Sequence, residues 1–129
     1  MYIKLDFNSD EAIYIQLCDQ IIYMIAKENL HEGDSLPSVR NLAENVGINM
    51  HTVNKAYTVL KQEGYVKLDR RKGAVVSVEY DKNEVLDEIK NELRNIVARA
   101  ACRNITSNEI HTLIEELYGE IPDKQNEKP

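Results

Sequence analysis

The sequence has few of the features that mark secreted, membrane or catalytic proteins. Its 129 residues include two cysteines, Cys18 and Cys102, which are too few for a disulfide framework. No apolar run is long enough to cross a membrane, and no charged-then-apolar leader opens the chain. It has neither a phosphate-cradling glycine loop nor a His-Glu-x-x-His motif. We therefore expect a cytoplasmic, non-enzymatic protein that needs no cofactor or metal and has free, at least partly buried thiols.

The chain also lacks an overall positive charge, since its formal net charge is −6. That charge is unevenly distributed. Residues 1–35 hold 2 basic and 7 acidic side chains, and residues 81–129 hold 7 and 11. Residues 36–80 hold 7 basic and 4 acidic side chains, a net charge of +3. Because local charge matters more than the total for nucleic-acid binding, this middle third is the candidate for an anionic partner.

Two short helical patterns joined at a glycine lie within this positive third. Pro37 suits a first helical turn, and Gly47 can take the left-handed conformation that ends a helix. Asn49 is a good N-cap for a second helix that runs from about residue 50 to 63 and stops at Gly64. The first helix has an apolar face made of Val39, Leu42, Ala43 and Val46. A second helix held at a fixed angle by a tight turn fits the DNA major groove.

A basic hairpin is predicted directly after the second helix. Residues 65–69 and 74–78 have strand character, and the tip between them is Arg70, Arg71, Lys72 and Gly73. Three adjacent cations suit phosphate, although a lone basic turn is more often simply solvated. The position of the hairpin after a recognition-helix pattern favours the phosphate-binding interpretation.

Residues 12–78, roughly, resemble the DNA-binding domain of GntR-family bacterial transcription regulators. The shared positions are Ile13-Tyr14-x-Gln16, Gly33-Asp34-x-Leu36-Pro37-Ser38-x-Arg40, Leu42-Ala43, Gly47-Ile48, Thr52-Val53, Ala56-Tyr57, Leu60 and Glu63-Gly64-Tyr65. A bare helix-turn-helix pattern is weak evidence, but this many positions in order, with a wing, is specific. The recognition-helix sequence and the short segment after the wing are similar to the YtrA subfamily in particular.

The resemblance implies a mainly α fold with a small β-hairpin wing: a winged helix-turn-helix plus a C-terminal two-helix dimerisation element. It implies a sequence-specific transcription regulator, acting as a homodimeric repressor on an inverted-repeat operator in double-stranded DNA. The second helix would enter the major groove, and the wing tip would reach the minor groove. The implied DNA-binding residues are Ser38, Arg40, Asn49, Met50, His51, Thr52, Asn54, Lys55, Tyr57, Arg70, Arg71, Lys72 and Gly73.

Before the helix pair, residues 1–7 alternate weakly and are expected to form a short strand. Asp10 is expected to cap a helix that runs to about Glu28. Asn29 stands where many family members have glycine, and asparagine also tolerates the left-handed turn. This helix should complete a three-helix core, so that residues 1–80 form one winged domain.

Two amphipathic helices are predicted after the wing, in a dimerisation element at residues 81–119. The first runs from about Asn83 to Arg103, and Thr106-x-x-Glu109 is a capping box that opens the second. Gly119 should end it, and residues 120–129 are expected to be a disordered tail. The expected dimer-interface residues are Leu86, Ile89, Leu93, Ile96, Val97, Ile110, Leu113, Ile114 and Leu117. The alternative is that these helices fold back on the winged domain.

Two other functions remain open from the sequence. A small metal- or ligand-responsive sensor could use Cys102 and His111, although two ligands without a spaced third make a poor metal site. A winged helix could also bind only protein, but the basic wing argues against that. The operator sequence, the regulated genes and any small-molecule effector are not determined by the sequence.

Overall fold

The computed structural model describes residues 1–122, and the chain divides into two compact units, Met1–Glu79 and a second that begins at Tyr80. The elements are α1 (Ile13–Ala26), α2 (Val39–Val46), α3 (Met50–Gln62), β1 (Val66–Asp69), β2 (Gly73–Val76), α4 (Lys82–Cys102) and α5 (Ser107–Tyr118). This confirms a mainly α fold with a small hairpin. No helix in the described part of the chain is long and apolar enough to cross a membrane.

The core of the first unit forms where α1, α2 and the hairpin close around α3. Leu17 and Ile21 of α1 and Leu60 of α3 are fully buried. Leu42 of α2 and Val76 of β2 join the same cluster. Within each helix the buried residues lie on one side, as Leu17 and Ile21 do in α1, so each helix has one apolar face. Burial of those faces leaves the opposite face of α3 open to solvent.

The predicted turn between α2 and α3 forms as expected. Ser38 caps α2, and its hydroxyl oxygen accepts a hydrogen bond from the Asn41 N–H at 3.1 Å. Gly47 ends α2 in the left-handed conformation, with φ of 73°. Asn49 caps α3 by accepting from the His51 N–H at 2.7 Å. This tight connection sets the direction in which α3 leaves the core.

The hairpin pairs β1 and β2 antiparallel, with Val66 opposite Val76. A third segment lies beside β2, because the Leu36 N–H donates to Ala74 O at 2.8 Å and the Val76 N–H donates to Asp34 O at 2.8 Å. The wing is therefore bonded at its base to the segment that leads into α2. Its strands are shorter than predicted and leave residues 70–72 as the turn.

The prediction of a strand at residues 1–7 is wrong, as is that of a cap at Asp10. α1 begins at Ile13, and Ala12 occupies the cap position without a side-chain hydrogen bond. The first residues are held instead by the buried Gln16, whose amide donates to Asp6 O and Glu11 O, both at 3.0 Å. The Gln16 side-chain oxygen also accepts from the Asp6 N–H at 2.9 Å. The side chain of Gln20 holds the same segment, since it is hydrogen-bonded to both the N–H and the C=O of Lys4. Two glutamine side chains of α1 thus provide backbone hydrogen bonds of the kind that a paired strand would have made.

The end of α1 also differs from the prediction. The helix stops at Ala26, and the left-handed residue is Glu28, with φ of 64°, rather than Asn29. The N–H groups of Asn29 and Leu30 both donate to Met24 O. The turn therefore comes one residue earlier than predicted, and Leu30 after it packs against the core.

The second unit consists of two capped helices that bury none of their residues. Asp81 caps α4, which begins one residue earlier than predicted. The predicted capping box at Thr106 and Glu109 is present and opens α5. Cys102 is exposed, so the prediction that it is at least partly buried is wrong. In the predicted tail, residues 123–129 lie outside the described residues.

Candidate nucleic-acid interface

The first two turns of α3 present a polar surface to solvent. Val53 and Ala56 face the core and are fully buried. His51, Asn54 and Lys55 lie on the other side and are exposed. Met50 is also exposed, and Thr52 is half-buried. The helix N-terminus adds a partial positive charge to this surface, which favours phosphate.

Lys55 is held in place by an aromatic ring. Its ammonium nitrogen lies 4.0 Å from the centroid of the Tyr14 ring in α1. A cation over a ring face is stabilised by the ring quadrupole, which narrows the positions that a long lysine side chain visits. Tyr14 thus orients a predicted DNA-binding residue, although sequence reasoning gave it no role. The tyrosine is part of the family pattern, but a contact 41 residues away in sequence leaves no periodic signal.

Tyr57 lies differently from the other predicted DNA-binding residues. It is buried, and its hydroxyl donates to Pro37 O at 2.7 Å. Burial raises the pKa of the hydroxyl, so Tyr57 stays neutral and keeps this hydrogen bond. The bond links the middle of α3 to the start of α2, where Ser38 and Arg40 are exposed. Tyr57 therefore positions two predicted contact residues, and a direct DNA contact by Tyr57 itself stays a prediction.

The wing tip is a basic turn organised by an acidic residue. Arg70, Arg71 and Lys72 are all exposed. A side-chain oxygen of Asp69 accepts hydrogen bonds from the backbone N–H groups of Arg71 at 2.8 Å and of Lys72 at 3.0 Å. These bonds, with the nearby lysine charges, lower the pKa of the Asp69 carboxyl. The carboxylate thus fixes the backbone of the turn while the three cations face solvent.

Gly73 completes the turn and begins β2. Its φ is 74°, a conformation that other residues avoid. Sequence reasoning treated Asp69 only as a strand residue, but an aspartate just before a turn is a known signal, since its side chain mimics a backbone acceptor. The turn at residues 70–72 therefore takes its shape from its two flanking residues, Asp69 and Gly73.

The predicted dimer-interface residues lie on α4 and α5. Eight of them are exposed, by 36% for Leu93 and Ile114 and up to 57% for Leu117, and Ile110 is half-buried. Across residues 1–122, no group of three or more His, Cys, Asp or Glu side chains is placed to hold a metal ion. His111 instead makes a 2.7 Å contact from Nδ1 to the Ser107 carbonyl one turn earlier on α5.

Comparison with known proteins places these features among bacterial regulators. The profile of the family described as "Bacterial regulatory proteins, gntR family" matches residues 13–76. The chain is 31% identical over 123 residues to the HTH-type transcriptional repressor YtrA of Bacillus subtilis, covering 92% of this chain and 94% of that protein. It is 36% identical over 87 residues to the uncharacterized HTH-type transcriptional regulator YhcF of the same species, covering 67% and 69%.

Among solved structures, the chain is similar to YtrA from Sulfolobus acidocaldarius, a GntR-family transcription factor. The identity is 44%, the TM-score is 0.65, and the match covers 78% of this chain and 97% of that one. All three of these proteins are described as transcription regulators or factors. That confirms the prediction of a regulator rather than an enzyme.

Proposed function

Since the chain belongs to the GntR family of bacterial regulatory proteins, we propose that this DNA-binding transcription regulator is a cytoplasmic homodimeric repressor that binds an inverted-repeat operator. The observation that carries the proposal is the exposed polar start of α3 beside an exposed basic wing, in a chain whose two C-terminal helices leave their apolar faces uncovered. Repression is proposed because the Bacillus YtrA, which aligns with nearly the whole chain, is described as a repressor.

Base recognition is assigned to the exposed side chains of α3. His51 and Asn54 lie on the solvent face and carry hydrogen-bonding groups. The Asn49 side-chain oxygen accepts the hydrogen bond of the helix cap, which leaves the amide N–H groups of Asn49 to donate to DNA. Asn54, within the helix, suits adenine, because an asparagine in the major groove can make two hydrogen bonds to that base.

Phosphate binding is assigned to the cations around this helix. Arg40, Lys55, Arg70, Arg71 and Lys72 are exposed in each subunit. A dimer could therefore neutralise roughly six to ten phosphates, and its affinity should fall by about 10³–10⁵ between 50 and 200 mM salt. Contacts of this kind set the register on the duplex but do not read its sequence.

Dimerisation is assigned to α4 and α5. Leu86, Ile89, Leu93 and Ile96 follow one another at intervals of three, four and three residues, a spacing typical of paired helices. They are exposed by 36–52% in the single chain. Helices of this length gain most of their stability from burial of an apolar face. A second copy of the chain supplies such a surface and brings two recognition helices to a two-fold axis.

The two-fold symmetry determines the geometry of the operator. Half-sites should be inverted repeats on the same side of the duplex, with centres about one helical turn, or roughly 34 Å, apart. Sequencing the DNA that the purified protein selects from a random pool tests this directly. The proposal fails if the selected sequences lack symmetry, or if binding to any duplex is insensitive to salt.

Two pairs of matched variants separate the roles of α3 and α4. Asn54→Ala should weaken binding to the selected operator by about 1–3 kcal/mol for the lost base contact. The control is Asn45→Ala, at another exposed helical asparagine outside the predicted interface, which should change operator binding little.

Ile89→Asp with Leu93→Asp should give monomers that keep only weak half-site binding. The control is Asn91→Asp with Asn95→Asp, which adds the same charge to α4 off the apolar stripe. Equal sedimentation of the two double variants would contradict the dimer assignment.

A further inference from the structure

A cavity lies between α3 and the wing, beside the segment that leads into α2. Its volume is about 420 Å³, which is within the range of small-molecule sites. Its apolar lining includes Leu36, Pro37, Val39, Leu68 and Ala74. These side chains come from the segment before α2, from the start of α2 and from both strands of the hairpin. The cavity is therefore a product of the folded winged unit and not of any single element.

All the charged side chains that line this cavity are positive. Lys61 of α3, Lys67 of β1 and Lys72 of the wing tip all contribute to it, and no aspartate or glutamate is among its lining residues. This arrangement does not follow from composition, because residues 36–80 also hold 4 acidic side chains. Three cations around an apolar surface are complementary to an anion that carries an apolar body.

Of the hydroxyl groups that line the cavity, Ser38 is the one left able to donate, because Tyr57 and Thr58 donate to backbone carbonyls. Ser38 lines it, and its oxygen accepts from the Asn41 N–H, so its own O–H proton remains able to donate. Tyr57 also lines it and donates to Pro37 O, which leaves the Tyr57 oxygen as an acceptor. The cavity thus combines an apolar surface, three cations and a hydroxyl donor.

The cavity overlaps the DNA interface assigned above. Ser38, Asn54 and Lys72 both line it and belong to the predicted DNA-binding set. A ligand there would take the lysine and hydroxyl contacts that phosphates need. Ligand and operator should therefore exclude each other, and by linkage each would lower the apparent affinity of the other.

We propose that this cavity binds a small organic carboxylate with an aliphatic or aromatic body, and that this ligand releases the operator by direct competition. The release step rests on the function proposed above, whereas the binding step does not. The winged unit would then be both the DNA reader and the effector site.

The binding step is tested on the DNA-free full chain with three eight-carbon probes: octanoate, 1-octanol and octylamine. We expect octanoate to bind about fivefold to tenfold more tightly than octanol in calorimetry, because charge pairs of this kind add modest affinity. Octylamine should bind least. Raising the salt from about 50 to about 300 mM should narrow the gap between octanoate and octanol through screening. Amide NMR shifts caused by octanoate should centre on Thr58, Leu68 and Ala74.

A charge-matched pair of double variants locates the site. Lys61→Gln with Lys67→Gln removes two cavity cations that are outside the predicted DNA-binding set. It should lower octanoate affinity by about fivefold and leave octanol binding unchanged. Lys4→Gln with Lys27→Gln removes the same charge from exposed positions outside the cavity and should leave octanoate affinity unchanged.

The release step is tested by titrating octanoate into the protein–operator complex. Octanoate should dissociate the complex at concentrations set by its affinity for the free protein, and octylamine should not. The inference is overturned if octanoate binds no better than octanol, if its NMR shifts centre on Leu113 and Leu117, or if it binds in the cavity without displacing DNA. A chain that binds octanoate but no DNA at all would refute the proposed repressor while leaving the binding step standing.

Discussion

The winged unit and the C-terminal unit are built from the same kind of amphipathic helix, but they use it differently. In the winged unit the apolar faces of three helices meet, and Leu17, Ile21, Val53 and Leu60 are fully buried. In the C-terminal unit α4 and α5 have no buried residue. An apolar stripe on a helix therefore shows that burial is needed, but not whether the covering surface belongs to the same chain.

The two cysteines differ in burial in the same way as the two units. Cys18 lies in the core, and its thiol donates to Ala56 O at 3.4 Å. Cys102 ends α4 and is exposed. Each unit thus contains one thiol that reports on its packing.

The largest difference is expected between two isoleucine truncations. Ile21→Ala should lower the free energy of unfolding of the winged unit by about 2–5 kcal/mol, because it leaves a cavity in a close-packed core. Ile89→Ala, at a position 46% exposed, should instead weaken dimerisation and leave that unit's unfolding unchanged. Urea unfolding at several protein concentrations separates the two effects. A loss below about 1 kcal/mol for Ile21→Ala would mean that the core is less tightly packed than described.

Thiol labelling should distinguish the units next. Burial, with the nearby charges of Glu63 and Asp19, raises the pKa of Cys18 from 9.0 to about 11. At about pH 8 this raised pKa lowers the Cys18 thiolate fraction about a hundredfold. Because Cys18 is also buried whereas Cys102 is exposed, a disulfide reagent should modify Cys102 first. Cys18→Ala should leave the fast phase intact, and Cys102→Ala should remove it. Two equal rates would contradict the description of the core.

The pH dependence of stability follows from the same thiol. Because the pKa of Cys18 is raised on folding, the folded state keeps this proton while the unfolded chain releases it near pH 9.0. The resulting stabilisation is fully present below that pH and is lost as the pH rises towards about 11. Cys18→Ala should therefore reduce the alkaline loss of stability in urea unfolding.

Two glycine-to-alanine changes should differ by a smaller amount. Gly64 has a φ of 85°, and a Cβ there would lie 2.3 Å from Glu79 O, so Gly64→Ala should cost at least about 1–3 kcal/mol. Gly119 ends α5 with an ordinary φ of −64°, and its nearest neighbour, Glu116 O, would lie at 3.1 Å. Gly119→Ala should change stability by less than about 0.5 kcal/mol. Thermal unfolding of both variants measures the contrast.

The smallest effect is expected at the wing tip. Hydrogen bonds from the Arg71 and Lys72 backbone N–H groups lower the pKa of the Asp69 carboxyl. The carboxylate is therefore charged at neutral pH, and the turn backbone that it holds is ordered there. That order should be lost only as the pH falls through the lowered value. The Arg71 and Lys72 amide shifts should titrate together, with a midpoint below that of an ordinary aspartate. Asp69→Asn should abolish this titration without changing global unfolding, whereas separate midpoints would contradict a shared carboxylate.

The helix caps show how far local sequence rules extend. Asn49 at α3 and the box at Thr106 were predicted because a cap forms with residues two or three positions away. Ser38 was expected only as a DNA contact, and the structure shows that it also caps α2. The strand expected at residues 1–7 is absent, and the side chains of Gln16 and Gln20 bond the backbone of that segment instead. Weak alternation cannot reveal those competitors, because both side chains lie outside the alternating segment.

The amino-acid sequence by itself determined the order of the elements from α1 to α5, the turn between α2 and α3, the basic wing and the regulator family, because periodicity, caps and motif order are local signals. Only the tertiary structure decided that Tyr57 anchors α2, that Tyr14 holds Lys55, and that three lysines surround one apolar cavity. Those pairs join residues that are far apart in the chain. Their proximity results from closure of the core, which buries several apolar faces at once and sets distances that no single segment encodes.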